Sequence, residues 1–264
     1  MSTIIHPTAV VSPQARLGLN VSVGPHAVIE DDVTLGDGTS IGPHALVSNG
    51  ARLGRDCRIH HSAAVGGPPQ DLKYKGEPTT LEVGDRTTVR EFVTLNRGTT
   101  GSGKTTIGSD CLLMAYSHVA HDCRVGNNVI IANCSALAGH VTIEDWVIVG
   151  GLTPIHQFVR IGSHSMVGGG VRVPKDVPPY ILASHSPVIF EGLNLVGLRR
   201  RGFSPATIEL IEKAYRILYR SNLNVSQAVA RITQELERIP EINALLEFIA
   251  SSKRGIIPGH TTHT

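Results

Sequence analysis

Aromatic residues are scarce in this chain, whose 264 residues include one Trp, five Tyr and five Phe. So few rings make a poor platform for stacking bases, and a net charge of +2 is too small to steer a polyanion. Nucleic acid is therefore not an expected partner. No apolar run approaches the roughly 20 residues of a membrane span, so no membrane insertion is expected. The opening Met-Ser-Thr-Ile-Ile-His-Pro lacks the basic and apolar regions of a secretion signal, which points to a cytoplasmic protein. Cysteine is sparse as well. Cys57, Cys111, Cys123 and Cys134 contain no C-x-x-C pair, which removes zinc ribbons and thioredoxin-like chemistry.

Glycine and proline are plentiful, at 28 and 15 residues, and they belong to a repeat. Every sixth residue from Ile5 (Val11, Leu17, Val23, Ile29 and onward to Val173) falls in one phase. Of 29 such positions 26 are Ile, Leu or Val, and the exceptions are Asp71, Glu77 and Gly101. This period is neither that of an amphipathic helix nor that of an alternating strand. Gly often follows the aliphatic residue, and a small residue stands four positions after it, as at Ala27, Ala45 and Ala63. The unit is a short strand followed by a turn. Three such sides close an 18-residue coil of a parallel β-helix with inward aliphatic ladders. Roughly ten coils at about 4.8 Å each would form a rod approaching 50 Å. Cys57, Cys111 and Cys123 fall on the small-residue position, where buried core thiols are expected.

Two stretches interrupt the pattern without losing its phase. Gly67–Pro78 reads as a loop projecting from one corner, a common place for function on a rigid scaffold. Gly98–Thr105 fits the phosphate-cradling pattern G-x-x-x-x-G-K-[ST], but that chemistry needs a helix directly after it. Here Thr106-Ile107-Gly108 re-enters the repeat at once, so a flexible corner loop is expected. After Pro178-Pro179 the repeat stops, and Ser204-Pro205 opens a helix as N-cap and first helical residue. Further helices are expected at 225–239 and 240–253, then a frayed tail from Pro258 in which His260 and His263 are incidental. The domains expected are a mainly β repeat unit at 1–190 and a C-terminal helical one at 191–264. Between Arg199 and Arg254 ten Lys or Arg face six Asp or Glu, a basic surface suited to an acidic partner or simply an ordinary helical surface.

His140 and His156 lie 19 and 35 residues after His121, each one residue from a multiple of 18, which places the three near one corner on successive coils. Such histidines serve as surface turn residues, as His26 and His44 do, as metal ligands, or as a general base.

The six-residue repeat resembles the hexapeptide-repeat family, whose prism is a left-handed parallel β-helix. Six segments carry a narrower likeness: His118-Val-Ala-His-Asp-Cys123, Ala138-Gly-His140, Ile155-His-Gln-Phe158, Gln70-Asp-Leu-Lys-Tyr74, Gly197–Ser204 and the helical C-terminal part. Together they look like the UDP-N-acetylglucosamine O-acyltransferases that begin lipid A synthesis. That resemblance implies transfer of a 3-hydroxyacyl group from acyl carrier protein to the glucosamine 3-hydroxyl, with no cofactor and no metal. It implies His121 as general base, Asp122 orienting it, and the Gly139 N–H receiving the oxyanion. His118, His140, His156, Gln157, Asn194 and Arg200 would contact substrate. Asp71 and Lys73 would reach it from a neighbouring subunit of a homotrimer, with active sites between subunits. Gly169 matches the family's stop for the acyl chain, and Gly168-Gly169-Gly170 offers no side chain to block a long one. The chain departs from the better-known form at Val196, where an acidic residue is usual, and at Ser184-His-Ser-Pro187. The alternative on the same prism is a zinc hydratase of the γ-carbonic anhydrase type, but none of His118, His121 or His156 has a His five residues later. The related N-acyltransferase of the pathway carries an extra N-terminal domain, whereas here the repeat starts at residue 5.

Overall fold

The computed structural model describes residues 3–260. Short strands, most of them two residues long and ending on the aliphatic residue of the repeat, stack into three sheets whose coil-to-coil pairs are all parallel. The result is the parallel β-helix expected from the repeat, left-handed as the family resemblance implies. Partners such as Val125 and Ile143 lie 18 residues apart and are buried, so each inward ladder is a column of Val, Ile and Leu. The two interruptions explain why the phase survives. Ile59 pairs with Val89 at a separation of 30, and Val89 with Leu113 at 24, so the coils gain 12 and then 6 residues. Insertions in multiples of six leave every inward position inward.

The small-residue position lies inside each turn. Cys57, Cys111 and Cys123 are buried there, and each thiol contacts a carbonyl of the next coil: Gly84, Gly126 and Ala138, all at 3.1 Å. Ser135 and Thr153 make the corresponding contact through hydroxyls. Cys134, off that position, is exposed.

The corners require left-handed backbone, and non-glycine residues supply most of it. Asp110, Asn128, Trp146 and His164 hold positive φ along one edge. Phe92, Tyr116, Cys134 and Leu152 do so along a second, and Asp122, His140 and Phe158 along the third. Each such residue costs about 1–2 kcal/mol. At most of these corners the cost is offset because the N–H reaches a carbonyl of the preceding coil, as from His44 to Pro25 at 3.0 Å, while Asp122 N donates to the Thr105 hydroxyl at 2.9 Å. Stacking follows from the same period, and the His26 and His44 rings lie 5.0 Å apart, nearly parallel.

Past Pro178-Pro179 the chain does what the repeat could not foretell. Ile181–Ser184 continues one sheet, then pairs antiparallel with Ile189–Leu193 in a hairpin. Ser184-His-Ser-Pro187 enters and makes its turn. A short helix α1 (Leu195–Arg200) follows, with Val196 60% exposed in its first turn. Helix α2 (Pro205–Arg220) begins as expected, the Ser204 hydroxyl accepting from Thr207 N. Helix α3 (Val225–Glu235) stops four residues short of the expected 239, and α4 spans Pro240–Ser251. Tyr215 of α2 donates to the Pro179 carbonyl, and Ser252 donates to the buried Asp176 at 2.7 Å, which fastens the helices to the prism. The tail is not frayed at its start, since Phe190 N donates to the Pro258 carbonyl. His260 stands 3.6 Å from Glu191, and His263 lies outside the described residues.

Candidate active site

Both insertions leave the prism at the edge that carries Asp122, His140 and Phe158. Asp122 occupies the corner, and its side chain is wholly buried. Five hydrogen bonds converge on its carboxylate. Oδ1 accepts from Thr99 N at 3.0 Å, Ser102 N at 3.1 Å and the Ser102 hydroxyl at 2.5 Å. Oδ2 accepts from the Thr99 hydroxyl at 2.6 Å and from His121 Nδ1 at 2.7 Å. Burial by itself would raise the carboxyl pKa, but the bonds from Ser102, Thr99 and His121 outweigh it and hold the group far below the ordinary carboxylate range. Asp122 is therefore an anion, and His121 Nδ1 must be the donor. Nε2 of the neutral ring is left with its lone pair, the requirement for a base.

The 98–103 segment is thus an ordered clamp rather than the flexible loop expected from its glycines. Its glycines have a spatial purpose. A Cβ on Gly101 would meet His140 Cε1 and Thr99 Oγ1, each at 3.2 Å. Rejection of phosphate binding stands on topology, because Lys104–Ile107 is a strand and not a helix.

The next coil supplies His140 and Gly139. The His140 ring meets His121 edge-on at 5.3 Å and stacks on Phe158 at 4.6 Å. Its Nε2 is 3.7 Å from Asp122 Oδ2, too far for a hydrogen bond. Gly139 is buried directly under His121, and its N–H donates to no group among the described residues. His118, on the strand before the dyad, binds the Thr94 hydroxyl through Nδ1 at 2.7 Å. Burial pushes its pKa down, so it is neutral near pH 7. His121, Asp122 and His140 could each offer an ion one atom, all within 4.8 Å. The 2.7 Å His121–Asp122 contact is a hydrogen bond with no room for an ion between its atoms, and Oδ2 also accepts from the Thr99 hydroxyl at 2.6 Å.

Other sequence-selected residues lie apart from this cluster. His156 is at the same edge, but its Nδ1 faces the Gln157 carbonyl at 3.1 Å, and the neighbour stacked on His140 is Phe158. Asn194 is buried and caps α1, accepting from Gly197 N and donating to the His164 carbonyl. Arg200 is exposed in the last turn of α1. Gly169 precedes Gly170 on the edge of Cys134 and Leu152, not on that of His121. Asp71 and Lys73 flank Leu72 at the tip of the larger loop, where Leu72 is 105% exposed. Arg97 fixes that loop through the Tyr74 hydroxyl, at 3.0 and 2.9 Å. Sequence reasoning missed Thr99, Ser102 and Phe158. Only Phe158 had a signal, its 18-residue spacing from His140.

Comparison with known proteins gives a consistent picture. The family described as UDP-N-acetylglucosamine O-acyltransferase, domain 2, matches residues 176–257. The bacterial transferase hexapeptide pattern matches 14–49 and 104–139. An acyl-[acyl-carrier-protein]–UDP-N-acetylglucosamine O-acyltransferase of Burkholderia mallei is 53% identical over 258 residues, covering 96% of this chain and 98% of its own. The protein of that name from Herminiimonas arsenicoxydans is 50% identical over 260 residues, covering 97% and 99%. Among solved structures, the UDP-N-acetylglucosamine acyltransferase of Bacteroides fragilis superimposes with a TM-score of 0.94 at 44% identity, over 96% of this chain and all of that one.

Proposed function

The chain belongs to the UDP-N-acetylglucosamine O-acyltransferases, and from that premise we propose how its own residues carry out the transfer. It is an O-acyltransferase that moves an acyl group from acyl carrier protein to UDP-N-acetylglucosamine, in lipid A biosynthesis. Its site in our reading takes a 3-hydroxyacyl thioester and the glucosamine 3-hydroxyl. An alcohol is a weak nucleophile near pH 7, so His121 Nε2 removes its proton as oxygen attacks the thioester carbonyl. A positioned base of this kind contributes about 10²- to 10⁴-fold. Asp122 holds the ring in the required tautomer and stabilises the imidazolium that forms. The oxyanion of the tetrahedral intermediate is received by the Gly139 N–H. Collapse of that intermediate expels the carrier thiolate, which takes the proton back from His121.

The observation that carries this reading is the position of His121, bonded through Nδ1 to a buried carboxylate and lying over the free N–H of Gly139. His118, His140, His156 and Gln157 border the acceptor and the acyl-pantetheine, and Asn194 and Arg200 serve the nucleotide sugar. Arg200 suits a phosphate. Gly169 sets the end of the acyl groove.

In our reading the enzyme is a cytoplasmic homotrimer with sites between subunits. Two placements support this: a bare Leu72 between Asp71 and Lys73, and Gly169 on a different edge from His121. Among the described residues no helix is long and apolar enough to cross a membrane. We divide the chain into the β-helix at 1–190 and the helical part at 191–264. The latter, with ten cations against six anions between Arg199 and Arg254, docks the acidic acyl carrier protein. The zinc-hydratase alternative gains no support from the His121–Asp122 geometry. The test is an assay of purified protein with carrier thioesters of several lengths and with UDP-N-acetylglucosamine or its 3-amino analogue. Ester formation on the former is expected, and amide formation on the analogue alone would overturn the acceptor assignment.

A further inference from the structure

Two imidazoles compete for one oxygen of Asp122, His121 at 2.7 Å and His140 at 3.7 Å from Oδ2. The corner backbone alone does not choose between them. What fixes the carboxylate plane is the loop opposite. Thr99 and Ser102 together make four of its five hydrogen bonds, and Thr105 accepts from Asp122 N at 2.9 Å. Oδ2 already accepts from the Thr99 hydroxyl at 2.6 Å and from His121 at 2.7 Å, while His140 stays at 3.7 Å, beyond hydrogen-bond distance.

We propose that Thr99 and Ser102 are positioning residues that commit Asp122 to His121 and away from His140. The inference rests on the reading of His121 as base oriented by Asp122. The stretch that imitates a phosphate loop is then a carboxylate clamp, with the same small and hydroxylated residues serving an anion that belongs to the protein. Neither residue contacts substrate in this proposal, so the clamp acts on the chemical step and not on sugar binding.

The test is a double-mutant cycle of acyl transfer with Thr99→Val and Ser102→Ala, singly and together, in the wild-type and Asp122→Asn backgrounds. Asn is chosen because it tolerates the left-handed corner and keeps the shape of the side chain while removing its charge and one of its two acceptor oxygens. The Thr99→Val/Ser102→Ala pair should lower kcat by about tenfold or more, with KM for the sugar nucleotide within about threefold. Thr99→Ser, which keeps the hydroxyl, should restore kcat. In the Asp122→Asn background the same pair should cost less than about threefold, because the clamp then has no anion to direct. Thermal melting of each variant separates loss of fold from loss of positioning. Unchanged kcat in the clamp variants, while Asp122→Asn is impaired, overturns the clamp and leaves the dyad intact. Equal losses in both backgrounds overturn it too, by showing that the loop acts elsewhere. Impaired clamp variants beside a fully active Asp122→Asn overturn both the clamp and the dyad.

Discussion

A methyl group on Gly139 would stand 2.6 Å from Cε1 and 2.8 Å from Nε2 of His121. The ring cannot move away freely, because Asp122 holds its other side. Gly139 is not among the residues of positive φ, so Ala would fit the backbone and disturb only the ring. Gly139→Ala should therefore fold normally and lose about a hundredfold or more in kcat, the scale of a 1 Å misplacement at a reacting centre. Steady-state transfer assays alongside thermal melting check this, and turnover within about threefold of wild type would refute it.

A Cβ on Gly169 would meet the backbone of the neighbouring coil, Gly151 O at 3.1 Å and Gly151 N at 3.5 Å, so glycine leaves no side chain to end the groove, and a longer residue there must lean away from that coil. Wild type should prefer long acyl chains, and Gly169→Met should shift the preference to shorter ones by tenfold or more per pair compared, within the range of pocket-size discrimination. Equal chain-length profiles would remove Gly169 from the role of stop.

Three thiols should be inert and one reactive. Burial pushes Cys57 up, Cys111 up to about 11 and Cys123 up to about 12, whereas Cys134 is exposed. A thiol reagent near pH 8 should titrate one group quickly in the native protein and four after unfolding, since the chain has four cysteines. Rapid reaction of two or more native thiols would contradict the buried assignments.

His164 ties acid stability to the corner stack. It lies among Trp146, Tyr180 and Phe203, with Arg201 close by, and burial first and Arg201 second lower its pKa to about 4. Unfolded, it takes up its proton near its ordinary 6.5. Between those values the unfolded chain binds the extra proton, so the stability present above pH 6.5 is lost as pH falls toward 4. This group alone can contribute a slope approaching about 1.4 kcal/mol per pH unit. Denaturant melts from pH 7 to 4.5 should show the loss in wild type and a shallower one in His164→Phe. Identical slopes would mean that His164 is not the group responsible.

The prism was legible in the sequence because one residue in six must be aliphatic and inward, and because the insertions of 12 and 6 residues preserve that rule. His121, Asp122, Gly139 and His140 could be chosen from their motif and spacing. The partners of Asp122 could not. Thr99 and Ser102 lie 23 and 20 residues before it, inside a glycine-rich stretch whose composition suits a mobile loop equally well. The hairpin at 181–193 was hidden for a different reason: it pairs with the last coil but obeys alternation instead of the six-residue period. Asn194 was selected for substrate binding, yet its amide also caps a helix too short to announce itself by periodicity.

The most direct measurement is the turnover of His121→Ala with an acyl carrier thioester and UDP-N-acetylglucosamine. A base worth about 10²- to 10⁴-fold should disappear with the imidazole, so kcat should fall at least a hundredfold while the melting temperature stays near that of wild type. Near-normal turnover in that folded variant would contradict His121 as the base.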